Sequence, residues 1–224
     1  MRHLSELTNL QKLELYRTQV TVDGLRHLRN LTSLQELQLP DMTFSDASLA
    51  NFSQLTNLKS LYFNNSPITD AGLAHLRNLT ALEILSLGDT QITNDGLRHL
   101  AQMTQLRQLW LHNTRITDAC MQHIEKLPTL WELHLNHEIT DAGLERLSLL
   151  TLPKLQRLQL RNSQVTDAGL VHLKKLKNLN HICLYNTRIT EPGIEELRSA
   201  FRVCNILWSQ RGSNTASGKN QENQ

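Results

Sequence analysis

The sequence predicts an α/β solenoid: short parallel strands stacked on one side and helices on the other. Three observations predict it. Leucines open equivalent units at Leu10, Leu34, Leu58, Leu82, Leu106 and Leu130, each 24 residues after the last, then at Leu155 and Leu179 at steps of 25 and 24. Inside each unit a pair such as Leu13 and Leu15 alternates with polar residues. Further on, apolar residues recur every third position, as Leu25, Leu28 and Leu31 do. Self-similarity at a period of about 20–50 residues marks supersecondary units that bury their apolar faces only by stacking.

The alternating pair comes first in each unit and predicts a strand with one buried face. Stacked units then form a parallel sheet with neighbouring strands about 4.8 Å apart. Spacing by three predicts a helix on the other side. The wider helical layer bends the stack into a horseshoe, with strands on the concave face and helices on the convex face. No unit buries its leucines alone, so stability comes from stacking.

Between strand and helix stands a recurring stretch, "ITDAGL" at 139, with variants such as "VTVDGL" at 20, "FSDASL" at 44 and "ITEPGI" at 189. In isolation its Thr, Asp and Gly suggest a phosphate or metal loop. In register eight times, it predicts a helix start. The column Thr21, Ser45, Thr69, Thr93, Thr117, Thr140, Thr166 and Thr190 carries only hydroxyls, which fits N-caps. Acids or an amide follow, including Asp46, Asp70, Asn94, Asp118, Asp141 and Asp167, where negative charge opposes the helix dipole. The next column is Gly24, Ser48, Gly72, Gly96, Cys120, Gly143, Gly169 and Gly193. Smallness is the common property, which predicts close backbone packing between repeats.

The stretches "LKSLYFNNS" at 58, "LRQLWLHNT" at 106 and "LQRLQLRNS" at 155 carry LxxLxL followed by polar residues. In these the chain resembles the leucine-rich repeat family, over residues 1 to 208. The ITDAGL half is similar to the 24-residue subtype of many bacterial repeat proteins and of the substrate-reading part of F-box proteins. Many members place Asn after LxxLxLxx. This chain has Thr18, Ser66, Thr90, Thr114, Ser163 and Thr187 there, so hydroxyls must satisfy the turn.

The ends and irregularities yield further expectations. The chain opens in mid-repeat, so either it is part of a longer chain or Leu4 and Leu7 close that end themselves. Val203, Ile206 and Trp208 form a ninth half-unit with a last strand, and Trp208 covers the core. Residues 209–224 are a disordered polar tail. The sixth repeat, one residue short at "HLNHEIT" and two long at "LSLLTLPK", bulges in the convex layer.

Composition narrows the function. A formal net charge of +2 gives no electrostatic reason for a nucleic-acid or membrane partner. No apolar run spans a bilayer and no signal core opens the chain, which points to a cytoplasmic protein with reduced thiols at Cys120, Cys183 and Cys204. No catalytic, dinucleotide or P-loop motif appears, so no enzyme and no cofactor is expected. His75, His99 and His123 recur in one helix column, but successive helices hold them too far apart to share a metal ion. His112, His134 and His137 on the strand side lack a further ligand, so no metal site is expected there either. Cys183 occupies an outward strand position.

Function is then sought at strand positions free to vary. One outward row runs Glu14, Gln38, Tyr62, Ser86, Trp110, His134, Gln159, Cys183; the next runs Tyr16, Pro40, Asn64, Gly88, His112, Asn136, Arg161, Tyr185. Exposed aromatics and arginines are the usual interface anchors. The reading is a monomeric, non-enzymatic scaffold that binds a protein or peptide through Tyr62, Asn64, Arg107, Trp110, His112, Trp131, His134 and Arg161 on the concave face. Arg107 and Trp131, one repeat apart in one column, are expected to form a cation–π pair. The alternative is the recognition portion of a larger enzyme, such as a ubiquitin ligase component or bacterial kinase.

Overall fold

The computed structural model describes residues 2–15, 18, 20–39, 41, 45–201 and 203–210, without the side chains of Arg2 and Val22. Among the described residues nine strands follow one another: β1 (Lys12–Glu14), β2 (Glu36–Gln38), β3 (Ser60–Tyr62), β4 (Ile84–Ser86), β5 (Gln108–Trp110), β6 (Glu132–His134), β7 (Arg157–Gln159), β8 (His181–Thr187) and β9 (Asn205–Gln210). They form one parallel sheet in chain order, with β1 and β9 at its two edges. The sheet is therefore open, as a solenoid requires. Leu37 pairs with Leu61, Leu85 with Leu109, and Leu133 with Leu158. The sequence period is thus a strand register, and each register column is a line of chemistry crossing the sheet.

The strand leucines point into a continuous core with the helical leucines; Leu37, Leu61, Leu85 and Leu109 are fully buried. Phe52 and Phe63 replace aliphatics in this core and stack with ring centroids 6.0 Å apart. Phe44, Tyr16 and Pro40 lie outside the described residues. The helical layer is finer-grained than expected. Asp70–Leu76 is α-helical, but Asp46–Phe52 and Asn94–Leu100 are 3₁₀ helices. A 3₁₀ helix has three residues per turn, so apolar residues spaced by three fall on one edge of it.

Successive repeats are tied by the ITDAGL stretch. Asp46 accepts from the Thr69 backbone N–H at 2.9 Å and from its hydroxyl at 2.5 Å. Asp70 does the same for Thr93, Asp118 for Thr140, Asp141 for Thr166 and Asp167 for Thr190. Each of these threonines also caps its own helix, as Thr69 does by accepting from Ala71 N–H. Thr21 and Ser45, assigned to the same role, make no side-chain cap bond.

The glycine column has a different cause from the one expected. A Cβ on Gly72, Gly96, Gly143, Gly169 or Gly193 would lie 2.2–2.6 Å from a carboxylate oxygen of the preceding repeat's aspartate. The column is small to admit that side chain, not to bring backbones together. Its exceptions follow from this. Ser48 succeeds a repeat with Val22 at the aspartate position, and Cys120 succeeds one with Asn94. Asn94 still ties its neighbour, accepting from Thr117 N–H and donating to its hydroxyl, each at 2.9 Å.

In six repeats the chain passes through a left-handed residue beyond the core of the strand: Asp41, Asn65, Asp89, Asn113, Asn162 and Asn186 have φ between 52° and 64°. Asn and Asp tolerate this region best among residues with side chains. The hydroxyl column does its expected work at Thr18, Thr90, Thr114 and Thr187, each donating to the carbonyl three residues back. Ser66 and Ser163 have buried hydroxyls with no partner among the described residues.

The short sixth repeat corrects one placement. Asn136, expected on the outward row, is 1% exposed. With one residue missing from the turn it points inward, donates to the carbonyls of Thr114 and Ile116, and accepts from Glu138 N–H. The two extra residues downstream fall around the end of the helix Asp141–Leu149, which leaves Leu149 exposed. At the chain end, β9 runs to Gln210, two residues into the expected tail; residues 211–224 lie outside the described residues. Ile206 is buried and Trp208 packs on the core, donating to the Ile189 carbonyl at 3.3 Å, but Val203 is 91% exposed. At the other end Leu7 is half exposed.

Candidate functional site

Alternate strand residues point away from the core and build the open face of the sheet. Tyr62, Ser86, Trp110 and His134 are register partners on β3, β4, β5 and β6. Ser86 is small, so the rings on either side close over it. Tyr62 and Trp110 meet edge to face at 6.1 Å and Ser86 is fully buried beneath them. Its hydroxyl donates to Asn64 Oδ1, which also accepts from Gly88 N–H at 3.2 Å. Trp110 stacks in turn on His134, centroids 5.1 Å apart and planes within 10°. His112 completes the group, 6.4 Å from His134.

The imidazoles are held by carboxylates. His134 Nε2 lies 2.6 Å from Glu132 Oε1, and Glu132 is 7% exposed. The other Glu132 oxygen is 4.0 Å from Arg157. His112 folds over Gly88, where a Cβ would fall 2.1 Å from its ring, and reaches Asp89 at 3.4 Å. Burial pushes the His112 pKa down; Asp89 opposes this, while His134 and Arg161 add to it. His181 is likewise lowered, first by burial and then by Arg157, with Glu132 opposing.

The expected Arg107–Trp131 pair does not form. Arg107 turns to Glu83 at 3.4 Å, and Trp131 receives Arg157 from the following repeat, 4.9 Å above its ring. Arg107 and Trp131 instead line one groove of about 570 Å³ at the strand-start edge, together with Lys154 and Gln156. Arg161 lies over Tyr185 at 5.4 Å. Tyr62, Trp110, His112 and His134 are thus one network with Asn64 beneath; Arg107 and Trp131 sit at its edge and Arg161 beyond it.

His137 is apart from this group, paired with Glu138 at 3.2 Å. Among the described residues no group of three or more histidine, cysteine or acidic side chains is placed to hold a metal ion. Cys183, assigned to an outward position, is 1% exposed.

Residues 78–101 and 151–174 match a family model described as Leucine Rich repeat. Among solved structures, internalin C2 of Listeria monocytogenes aligns over 88% of this chain and 80% of its own, with a TM-score of 0.67 and 24% identity. The chain has the leucine-rich repeat fold, and two of its stretches match that family's model. The internalin inlF of the same organism also aligns with this repeat protein, over 94% of the chain and 71% of its own, with a TM-score of 0.59 and 24% identity. At such identity the likeness is one of fold. No curated protein matches the sequence. No helix among the described residues of the repeat protein is long and apolar enough to cross a membrane.

Glu132, Arg157 and His181 share a third register column of the sheet, which the choice of site residues from sequence passes over. The signal was available: in that column Glu132 is followed one repeat later by Arg157 and then by His181. A carboxylate next to a cation and an imidazole across neighbouring strands is a charged cluster, not a set of independent surface residues.

Proposed function

We propose that this leucine-rich repeat protein is a non-enzymatic scaffold that captures a protein or peptide on its open sheet face. The observation that carries the reading is the network of Tyr62, Trp110, His112 and His134, flanked by Arg157 and Arg161. All four of its rings are only partly buried despite stacking on one another, and aromatic and Arg clusters on a rigid sheet are what interface hot spots are made of. The chemistry of the site fits binding better than turnover. The carboxylates Glu132 and Asp89 are each engaged by a histidine, and the buried Cys183 presents no accessible thiol.

The test is site-specific photo-crosslinking in the native cell. A photoreactive residue replacing Gln159, in the middle of the face, should yield a discrete crosslinked protein partner. The same residue at Gln122, on the helical layer, should not. Equal crosslinking from both positions, or from Gln122 alone, would remove the open face as the binding surface.

A further inference from the structure

The charges of the open face are not evenly spread. On the side of β1 and β2, Lys12 is held between Glu14 at 2.8 Å and Glu36 at 3.2 Å, so that end carries more acid than base. Around β7 the balance reverses. Arg157, Gln159 and Arg161 are alternate residues of one strand direction and share one face. Lys154 stands just before them in the groove and has no carboxylate partner among the described residues. His134, on β6, is in register with Gln159, and His181, on β8, with Arg157.

The nearby carboxylates are already matched. Glu132 is shared between His134 and Arg157, Asp89 lies against His112, and Glu83 against Arg107. Both arginines are stacked on aromatic rings, Arg157 on Trp131 and Arg161 on Tyr185. Stacking fixes a guanidinium in place without neutralising it. The result is a line of three cations, Lys154, Arg157 and Arg161, with Glu132 against Arg157 and imidazoles on the neighbouring strands.

We propose that the partner presents an extended acidic segment that lies on Lys154, Arg157 and Arg161, and that His112 and His181 tighten its capture in mildly acidic medium. The proposal rests on the reading of the open face as the partner surface. Arg157 and Arg161 are four residues apart along the strand direction, about 13 Å at the rise of a strand. An extended peptide with carboxylates four residues apart has the same spacing. A nucleic acid fits less well, because Glu132, Glu83 and Asp89 lie among the cations and would repel a continuous polyanion.

The pH dependence follows from the same geometry. Burial keeps His112 and His181 below the usual histidine value, so both are neutral at neutral pH. A carboxylate laid above them favours their protonated forms. Binding then takes up protons and strengthens as pH falls, until the partner's own carboxylates protonate. The groups facing these histidines are Asp89, Glu132, Arg157, Arg161 and His134.

The experiment is fluorescence anisotropy with the full chain and a fluorescein-labelled peptide of threonines and valines carrying glutamates four residues apart. The acidic peptide should bind roughly fivefold or more tightly at about pH 6 than at about pH 8, and its lysine counterpart should not bind. Arg157→Gln with Arg161→Gln should weaken binding roughly tenfold or more at both pH values. His112→Gln with His181→Gln should flatten the pH response, bringing the ratio of affinities at about pH 6 and about pH 8 toward one. Binding unaffected by the arginine pair, equally reduced by Arg29→Gln with Arg77→Gln on the helical layer, independent of pH, or matched by an oligothymidylate would overturn the proposal. If crosslinks form at Gln159 while the acidic peptide fails, the face stands as the partner surface and only its acidic specificity falls.

Discussion

The carboxylate of Asp70 occupies the space that a side chain on Gly96 would need: a Cβ there would lie 2.2 Å from Asp70 Oδ1. The same carboxylate holds the Thr93 N–H and hydroxyl of the next repeat. A small residue and an acid 26 positions apart are therefore one structural unit. Gly96→Ala should destabilise the protein by about 1–3 kcal/mol, as overpacking in a well-packed site does. In an Asp70→Asn background the same substitution should cost less, since Cys120 is accommodated opposite Asn94. Thermal unfolding of the four proteins of this cycle measures the coupling, and strictly additive losses would refute it.

Asn136 supports two carbonyls of the preceding repeat, at 2.8 Å from Thr114 and 3.0 Å from Ile116. Asn136→Leu should cost about 2–4 kcal/mol, because it leaves both acceptors buried and unpaired. Asn136→Asp should cost at least as much at neutral pH, since a carboxylate cannot donate to either. Chemical denaturation provides the comparison, with Asn78→Asp at an exposed turn as the mild control.

Trp110 bridges Tyr62 and His134 and roofs Ser86. Trp110→Ala should lower stability by about 1–3 kcal/mol and lower the melting temperature by a few degrees. The same variant should expose Ser86 and loosen the His134 ring, seen as a shift of its NMR resonances. A melting temperature equal to that of the parent would mean that the stack carries no packing energy.

His112 and His181 both have folded pKa values below the usual histidine value, chiefly through burial. The unfolded chain therefore binds more protons than the folded one between the unfolded pKa, about 6.5, and the lower folded values. Stability from these two groups is full above that window and is lost as pH falls through it. His112→Gln with His181→Gln should reduce the loss of stability on acidification, in denaturant titrations at stepped pH.

The three thiols should differ in reactivity. Burial, with Asp118 adding to it, pushes the Cys120 thiol up to about 12, and Cys183 is 1% exposed. Cys204 is also raised by burial but remains partly exposed. Iodoacetamide at mildly alkaline pH should label Cys204 first and leave the other two until unfolding, as read by peptide mass spectrometry.

The fold was legible because its causes repeat. Leu13, Leu37 and Leu61 announce a strand column three times over, and no single misreading could break the pattern. The site was legible only in outline. Tyr62, Trp110, His112 and His134 were all placed on the correct face, since period-two alternation fixes which side a residue takes. Contacts between them depend on side-chain direction, which spacing does not give. Arg107 and Trp131 share a column, yet the nearby Glu83 draws Arg107 one way while Arg157 covers Trp131 from the other. Asn136 was misplaced because a one-residue deletion shifts everything after Leu135, and the outward row was counted as though the turn were whole. The glycine column was readable as small but not as complementary, because the partner lies one repeat away.

That complementarity sets rules of succession for the units. Every tie runs from one repeat to the next in the same direction, so a repeat has an outgoing group and an incoming socket that need not match each other. The unit containing Asp70 and Gly72 receives an aspartate and sends one; it could be copied in tandem with each junction intact. The unit containing Cys120 receives an amide and sends an aspartate. Duplicated, it would set Asp118 of one copy against the filled socket of the next. The array can therefore be lengthened at some joints and not at others, and an engineer inserting a module must match neighbours, not merely count to 24.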